Sequence, residues 1–402
     1  MEIQKTAGEL IPELKRYQTP LFLIGVAGLA VAAAGSLLLD GWTPFFQAYL
    51  MAYMFCLGIT LGCLAMGMVH QLSGGAWGVV LRRPIGAAAR VLPLLTALFV
   101  PILFGMHRLY IWTHADVVAA DEIIRHKQLY LNTPFFVIRA VFYFAVWNTI
   151  SFVLNRWSLE QDRTGNPRIA KRMQRVSAIG LLAYGLTITF ASFDWLMSIE
   201  PDWYSTIYGV LIIGGQGLSA MAFLILAIAW LSRRPPLDEI IVPEHFHDAG
   251  NLTLAFVMLW AYFAFSQYLI IWAGNLPKEI AWYQHRLQTG WRTVGILLVV
   301  FHFFVPFLVL LSRTVKTQAT ALARVAAAIL VARVVDLFWL IAPDFHMGGA
   351  SISWQDVLLP VSLFSLWLGC FVCQLRGRAI LPVYDPEYDE TVGPLVERAL
   401  ER

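Results

Sequence analysis

A chain crosses a lipid bilayer only as helices or as a closed barrel, because hydrocarbon offers no partner to an unpaired peptide group. A spanning helix needs about 20 consecutive, mostly apolar residues. In these 402 residues such stretches recur near 19–39, 47–70, 87–105, 133–154, 175–197, 205–231, 250–273, 291–312, 319–341 and 355–375. They predict an all-α integral membrane protein of about ten transmembrane helices. The third is the weakest, since Pro93 and Pro101 interrupt it, a break that membrane helices tolerate where neighbours supply hydrogen bonds. Charged residues make up 14% of the chain, against roughly 25% in soluble domains. A net charge of +3 without any Lys/Arg-rich tract argues against a nucleic-acid partner.

Orientation follows from the basic residues. With the N-terminus inside, the inner side receives Lys5, Lys15, Arg16, Arg82, Arg83, Arg90 and the cluster Arg156, Arg163, Arg168, Lys171, Arg172 and Arg175. The outer side holds Arg108, Arg125, Lys127, Lys278, Arg286 and Arg292. Both termini are therefore expected in the cytoplasm. The polar start "MEIQKTAGELIPELKRYQTP" has no small-residue cleavage site after the first apolar run and reads as a retained segment. Outer loops 106–132 and 274–290 pair apolar positions at helical spacing with charges, which suits interfacial helices and partner docking. Cys56, Cys63, Cys370 and Cys373 all fall in apolar runs and read as small membrane hydrophobes.

An internal repeat is visible. Asp194 stands seven residues before Pro201–Asp202, and Asp336 stands seven before Pro343–Asp344. In the fourth and eighth spans "AVFYFAVW" aligns with "LVVFHFFV" and sets Tyr143 opposite His302. The expectation is two parallel-repeat four-helix bundles with flanking helices. The divisions are a cytoplasmic segment 1–18, a first helix 19–46, bundle one 47–203, bundle two 204–345, a tenth helix 346–375 and a cytoplasmic tail 376–402.

Arg139, Asp194, His302, Arg333 and Asp336 are ionisable groups inside these spans. At about 1.5 Å per residue all five fall in the outer half or near the midplane. Two readings stand side by side. Arg139–Asp194 and the (i, i+3) pair Arg333–Asp336 form structural ion pairs, or these residues with Tyr143 make a proton relay. Glu200, Asp202 and Asp344 are expected at the interface and solvated. The inner half contributes Tyr184, Thr187, Thr189, Gln216, Ser219, Ser266, Gln267 and, at its mouth, His70. Hydroxyls and amides conduct water but store no proton near neutrality, so an outer half-channel is better supported than a full path. Paired axial histidines, clustered cysteines, a Walker loop and a dinucleotide fingerprint are all missing from the sequence.

Several strings have a family likeness: "HQLSGGAWGVVLRRP", "NRWSLEQDRTGNPR", "FASFDWLMSIEPDWYSTIYG", "AFSQYLIIWAGNLPKEIAWYQHR" and "EHFHDAGNL". Over residues 19 to 375 the chain resembles the NrfD-like superfamily of polysulfide-reductase membrane subunits. It is most similar to the smaller of the two such subunits in bacterial alternative complex III. The resemblance implies a multi-pass subunit of the bacterial inner membrane within a quinol:electron acceptor oxidoreductase of an electron transport chain. That subunit binds no redox cofactor and performs no redox chemistry of its own. It also implies haem c and iron–sulfur clusters in partner subunits, with menaquinone or ubiquinone as the membrane electron donor. The implied partners are a paralogous NrfD-like subunit, an iron–sulfur subunit, multihaem cytochrome c subunits, small membrane subunits and lipids. On this resemblance a proton path falls on Arg139, Asp194, His302, Arg333 and Asp336.

Two other functions compete with that expectation. One is a quinone or quinol slot lined by Tyr143, Trp147, Trp195 or Asp194. The other is a stand-alone secondary transporter, against which the spans show no central site of broken polar helices.

Overall fold

The computed structural model describes residues 7–382 other than 236, 289 and 347, together with 384 and 388. Most of the predicted tail 376–402 lies outside the described residues. Among the described residues nine helices are long and apolar enough to cross a membrane, or ten if one bent pair counts as a single span. This is the architecture of a multi-pass membrane protein.

The helices are α1 (Glu13–Gly35), α2 (Trp42–Ser73), α3 (Arg82–Leu98), α4 (Val100–Leu109), α5 (Thr133–Thr164), α6 (Pro167–Trp195), α7 (Tyr208–Leu231), α8 (Pro243–Gly274), α9 (Pro277–Leu287), α10 (Trp291–Leu311), α11 (Ala319–Ile341) and α12 (Gln355–Arg376). The α3–α4 pair is the predicted third span, bent by 54°. Pro101 enters α4 at its first turn and lacks the N–H that would bond back to Ala97, so the helix breaks around Phe99.

Local chemistry sets the turns. At the C-terminal end of α5, Gly165 takes the left-handed conformation (φ 61°) and closes the helix. The Asn166 side chain then caps α6 by accepting from the Arg168 N–H, with Pro167 at the first turn. Asn275, also left-handed at φ 46°, ends α8, and Pro277 opens the short helix α9.

The most buried helices are α2 and α7, and they pack on each other at the centre. Their approach depends on Gly62, where a Cβ would run into the Gln216 carbonyl. Around this pair, α6 and α12 pack on α2, while α8 and α11 pack on α7. Helix α12 is tied in by Trp367, which donates to Thr60 Oγ1 of α2 at 2.7 Å, and its other face holds α1. Helices α1, α8 and α10 leave most of their apolar surface outside the core, as expected where lipid replaces protein contact.

Candidate functional site

The sequence-predicted ionisable residues gather into two clusters. The first lies between α5 and α6. Asp194 is fully buried, and Arg139 grips it in a two-pronged contact, Nε to Oδ2 at 2.8 Å and Nη2 to Oδ1 at 2.9 Å. Tyr143, one turn further along α5, donates its hydroxyl to Oδ2 at 2.8 Å. Arg139 also donates from Nη1 to the Tyr130 carbonyl at 2.9 Å. Its guanidinium lies 3.8 Å from the centre of the Tyr130 ring and 4.4 Å from that of Phe135. A planar guanidinium suits both a carboxylate fork and an aromatic face. Charge and hydrogen-bonding capacity are balanced here.

Around this pair Trp195 meets Tyr143 and Trp147 edge to face, with ring centres 6.0 and 5.9 Å apart, and Tyr143 stacks on Trp147 at 6.1 Å. Trp147 donates to Thr187 Oγ1 at 2.8 Å, and Tyr110 donates to the Trp195 carbonyl at 3.0 Å. The residues considered for a quinone slot therefore pack against each other. A cavity of about 320 Å³ does lie nearby, lined in part by Lys127, Tyr130, Phe190, Phe193, Met197 and Tyr204.

The second cluster joins α7, α8, α10 and α11. Asp336 contacts Arg333 Nη1 on its own helix and accepts from Trp260 Nε1 of α8 at 3.3 Å. Arg333 reaches Ser219 Oγ of α7 at 3.4 Å. Its guanidinium occupies the space that a side chain at Gly215 would need. His302 of α10 is fully buried and meets the Trp260 ring edge to face at 4.3 Å. Neither of its ring nitrogens has a hydrogen-bond partner. A neutral imidazole offers one donor and one acceptor, so this side chain is under-coordinated where Asp194 is saturated.

The backbone at His302 is unusual as well. Val299–Phe304 forms a π-helical turn within α10. Pro306 stands four residues after His302, so the N–H that would bond the His302 carbonyl is missing and the i→i−4 ladder loosens there. Such widened turns recur at functional positions.

The structure brings Arg139, Tyr143 and Asp194 together, and it links Arg333, Asp336 and His302 through Trp260. The first group sits on α5 and α6 and the second on α7, α8, α10 and α11, and both α6 and α11 pack on the central α2–α7 pair. Tyr184 of α6 donates to Gln216 Oε1 of α7 at 2.7 Å. Two sequence expectations need correction. Gln267 does not belong to the inner half: its side chain meets Ser205 Oγ at 3.2 Å and the Tyr283 hydroxyl at 3.3 Å, with the outer loops. Ser219, grouped with the inner hydroxyls, is a partner of Arg333.

The expectation of solvated outer acids fails for two of the three. The Asp344 side chain is 8% exposed and accepts both its oxygens' contacts from Arg286 Nη2, at 2.9 and 3.0 Å. Arg286 is fully buried, stacks 3.7 Å over Trp282 and also approaches Glu200 Oε2 at 3.8 Å. Only Asp202 remains exposed. A signal for this cluster existed: Arg286 follows Lys127 at the same offset that relates His302 to Tyr143. Trp260 carried no comparable signal, since tryptophan is frequent throughout the chain.

No model of a known protein family matches this chain, and no curated protein sequence matches it.

Proposed function

We propose that this chain is a core membrane subunit of a bacterial quinol-oxidising complex of the alternative complex III type. In this reading it binds no redox cofactor, sits in the inner membrane with both termini in the cytoplasm, and provides a proton path beside partners that hold haem c and iron–sulfur clusters. The observation that supports it most is the pair of buried Asp–Arg sites whose aspartates stand on α6 and α11, two helices that both pack on the central α2–α7 pair. Intramembrane carboxylates are costly and mark proton or ion routes by default.

The two sites take different parts in this proposal. Asp194 has its charge and lone pairs met by Arg139 and Tyr143, so it serves as a positioning clamp. Trp260 donates to Asp336 and meets the His302 ring edge to face, and both buried ring nitrogens of His302 are without a hydrogen-bond partner. Asp336 and His302 are the exchanging pair. The proton moves between His302 and Asp336 through water, with Arg333 holding Asp336 and Trp260 fixing the spacing.

The parallel-repeat architecture belongs to the same reading. It is supported by three correspondences: Asp194 with Asp336, Tyr143 with His302, and Lys127 with Arg286. In the last, each cation donates to a backbone carbonyl near the outer end of the carboxylate-bearing helix, Pro201 for Lys127 and Leu340 for Arg286.

Purification under mild detergent tests membership: iron–sulfur and haem subunits should come out with this chain, whereas a stand-alone transporter would come out alone. Function is tested in liposomes containing the complex. In the Asp336→Asn variant, quinol-driven electron transfer should persist while proton release beyond quinol chemistry is lost. If both activities remain at wild-type level, the proton path is not here.

A further inference from the structure

Outside the two intramembrane clusters lies the outer-end triad already located at Glu200, Arg286 and Asp344. It draws one residue from the turn after α6, one from α9 and one from the 3₁₀ turn that ends α11, so it bridges the two halves of the chain. Two carboxyl groups face a single guanidinium. Arg286 is fully buried, and its Nε has no hydrogen-bond partner. The Glu200 side chain is 21% exposed, yet its Oε2 is buried and also lacks a hydrogen-bond partner. The indoles around the triad keep water at a distance: Trp282 lies under the guanidinium and stacks on Trp203 at 4.7 Å.

Charge decides what such a group holds. With both acids ionised, one guanidinium leaves an uncompensated negative charge in a poorly hydrated place. One proton makes the set neutral and supplies the hydrogen atom that two facing carboxyl groups need. We propose that Glu200, Asp344 and Arg286 form a proton-binding site at the outer end of the protein, with one proton shared between the two carboxyl groups. Asp344 is eight residues beyond Asp336 on α11, about 12 Å along the axis. As the outer terminus of a proton path, the triad rests on the reading given under Proposed function. As a proton-binding site it does not.

The other groups facing the triad are Asp202 from the same turn, His285 and Tyr283 from α9, and Tyr208 from α7. His285 Nδ1 is 3.9 Å from Glu200 Oε1. Burial first, and then the charge of Asp344, raise the Glu200 carboxyl from 4.5 to about 7 against the opposing pull of Arg286. The folded state thus binds this proton more tightly than the unfolded chain does. Its contribution to stability is present below about 4.5 and is lost as the pH rises through about 7.

Infrared difference titration of the purified full chain tests the assignment, because the carbonyl stretch of a protonated carboxyl group is separate from that of imidazole or carboxylate. The wild-type protein should lose one carboxylic-acid band with a midpoint at about 7. The Glu200→Gln variant should lack that band, and Asp202→Asn should keep it. Asp344→Asn, which leaves Glu200 alone with Arg286, should lower the midpoint by about one pH unit or more. Thermal unfolding gives a second readout: Glu200→Gln should match wild type at acid pH and exceed it at alkaline pH. A wild-type titration with no carboxylic band near neutrality overturns the proposal, as does a band that survives Glu200→Gln or an unmoved midpoint in Asp344→Asn. Proton release by the assembled complex is measured separately, so a failed proton path and a failed proton site give different results.

Discussion

At the scale of single residues the two buried aspartates differ in what holds them. Asp194 receives three hydrogen bonds from Arg139 and Tyr143, and a guanidinium left alone in that place has no second carboxylate to turn to. Removing one member of a buried ion pair typically costs about 3–5 kcal/mol, whereas removing both leaves little charge unpaired. Asp194→Asn should therefore lower unfolding stability in detergent by that order, and Asp194→Asn with Arg139→Gln should recover a large part of it. If the single and double variants are equally unstable, the pair is not the element that holds α5 to α6. Much of this cluster was legible in the sequence, because charges are so scarce in the spans that Arg139 and Asp194 had few alternatives. The role of Trp260 was not legible: its indole N–H has the chemistry of every other tryptophan in the chain, and only packing selects it. The burial of Arg286 was hidden for the opposite reason. A basic residue in an outer loop ordinarily faces water, and nothing local announces that Trp282, one turn earlier, lies beneath it.

At the scale of elements, proline sets the irregularities, but its effects were only partly foreseeable. Pro93 and Pro101 flagged the third span, and the chain bends there by 54°. Pro306 gave no such warning, since α10 continues past it; the ladder widens into a π turn instead of breaking. That turn fixes the direction of His302. Replacing Pro306 with alanine restores the missing N–H and lets the i→i−4 ladder close. The expected outcome for Pro306→Ala is a thermal stability no lower than wild type together with reduced proton release by the complex in liposomes. A variant that is stable and releases protons normally would detach the π turn from function.

At the scale of the whole molecule, the α2–α7 contact is the centre on which everything else is hung. Without a hydrophobic driving force between helices in lipid, close packing and buried polar contacts hold such a centre together. Gly62 is its tightest point, and a branched side chain has no space against the Gln216 carbonyl. Overpacking of this kind typically costs about 1–3 kcal/mol. Gly62→Val should lower unfolding stability by at least that much, and the loss should reach both halves at once, read by tryptophan fluorescence and by protease access to loops 106–132 and 274–290. A loss confined to one half would mean that the two bundles fold independently. The gross plan of this centre was readable from the spacing of apolar runs, but which pair of spans forms it was not. Apolarity does not single out spans two and six, since the first, eighth and ninth spans are more apolar than either, and small residues such as Gly62 and Gly215 gain meaning only once the helices face each other.

The pairing of α12 with α1 and α2 also bears on how the protein is made. Helices leave the ribosome in order, so the segment that covers the first two spans is inserted after all the spans that precede it here. Until residues 355–376 enter the bilayer, one flank of α2, including the Thr60 hydroxyl that Trp367 later engages, is left to lipid or to an insertion chaperone. Closure of the core therefore waits for α12, and a nascent chain that stalls before that helix presents a polar mark by which quality control can recognise it.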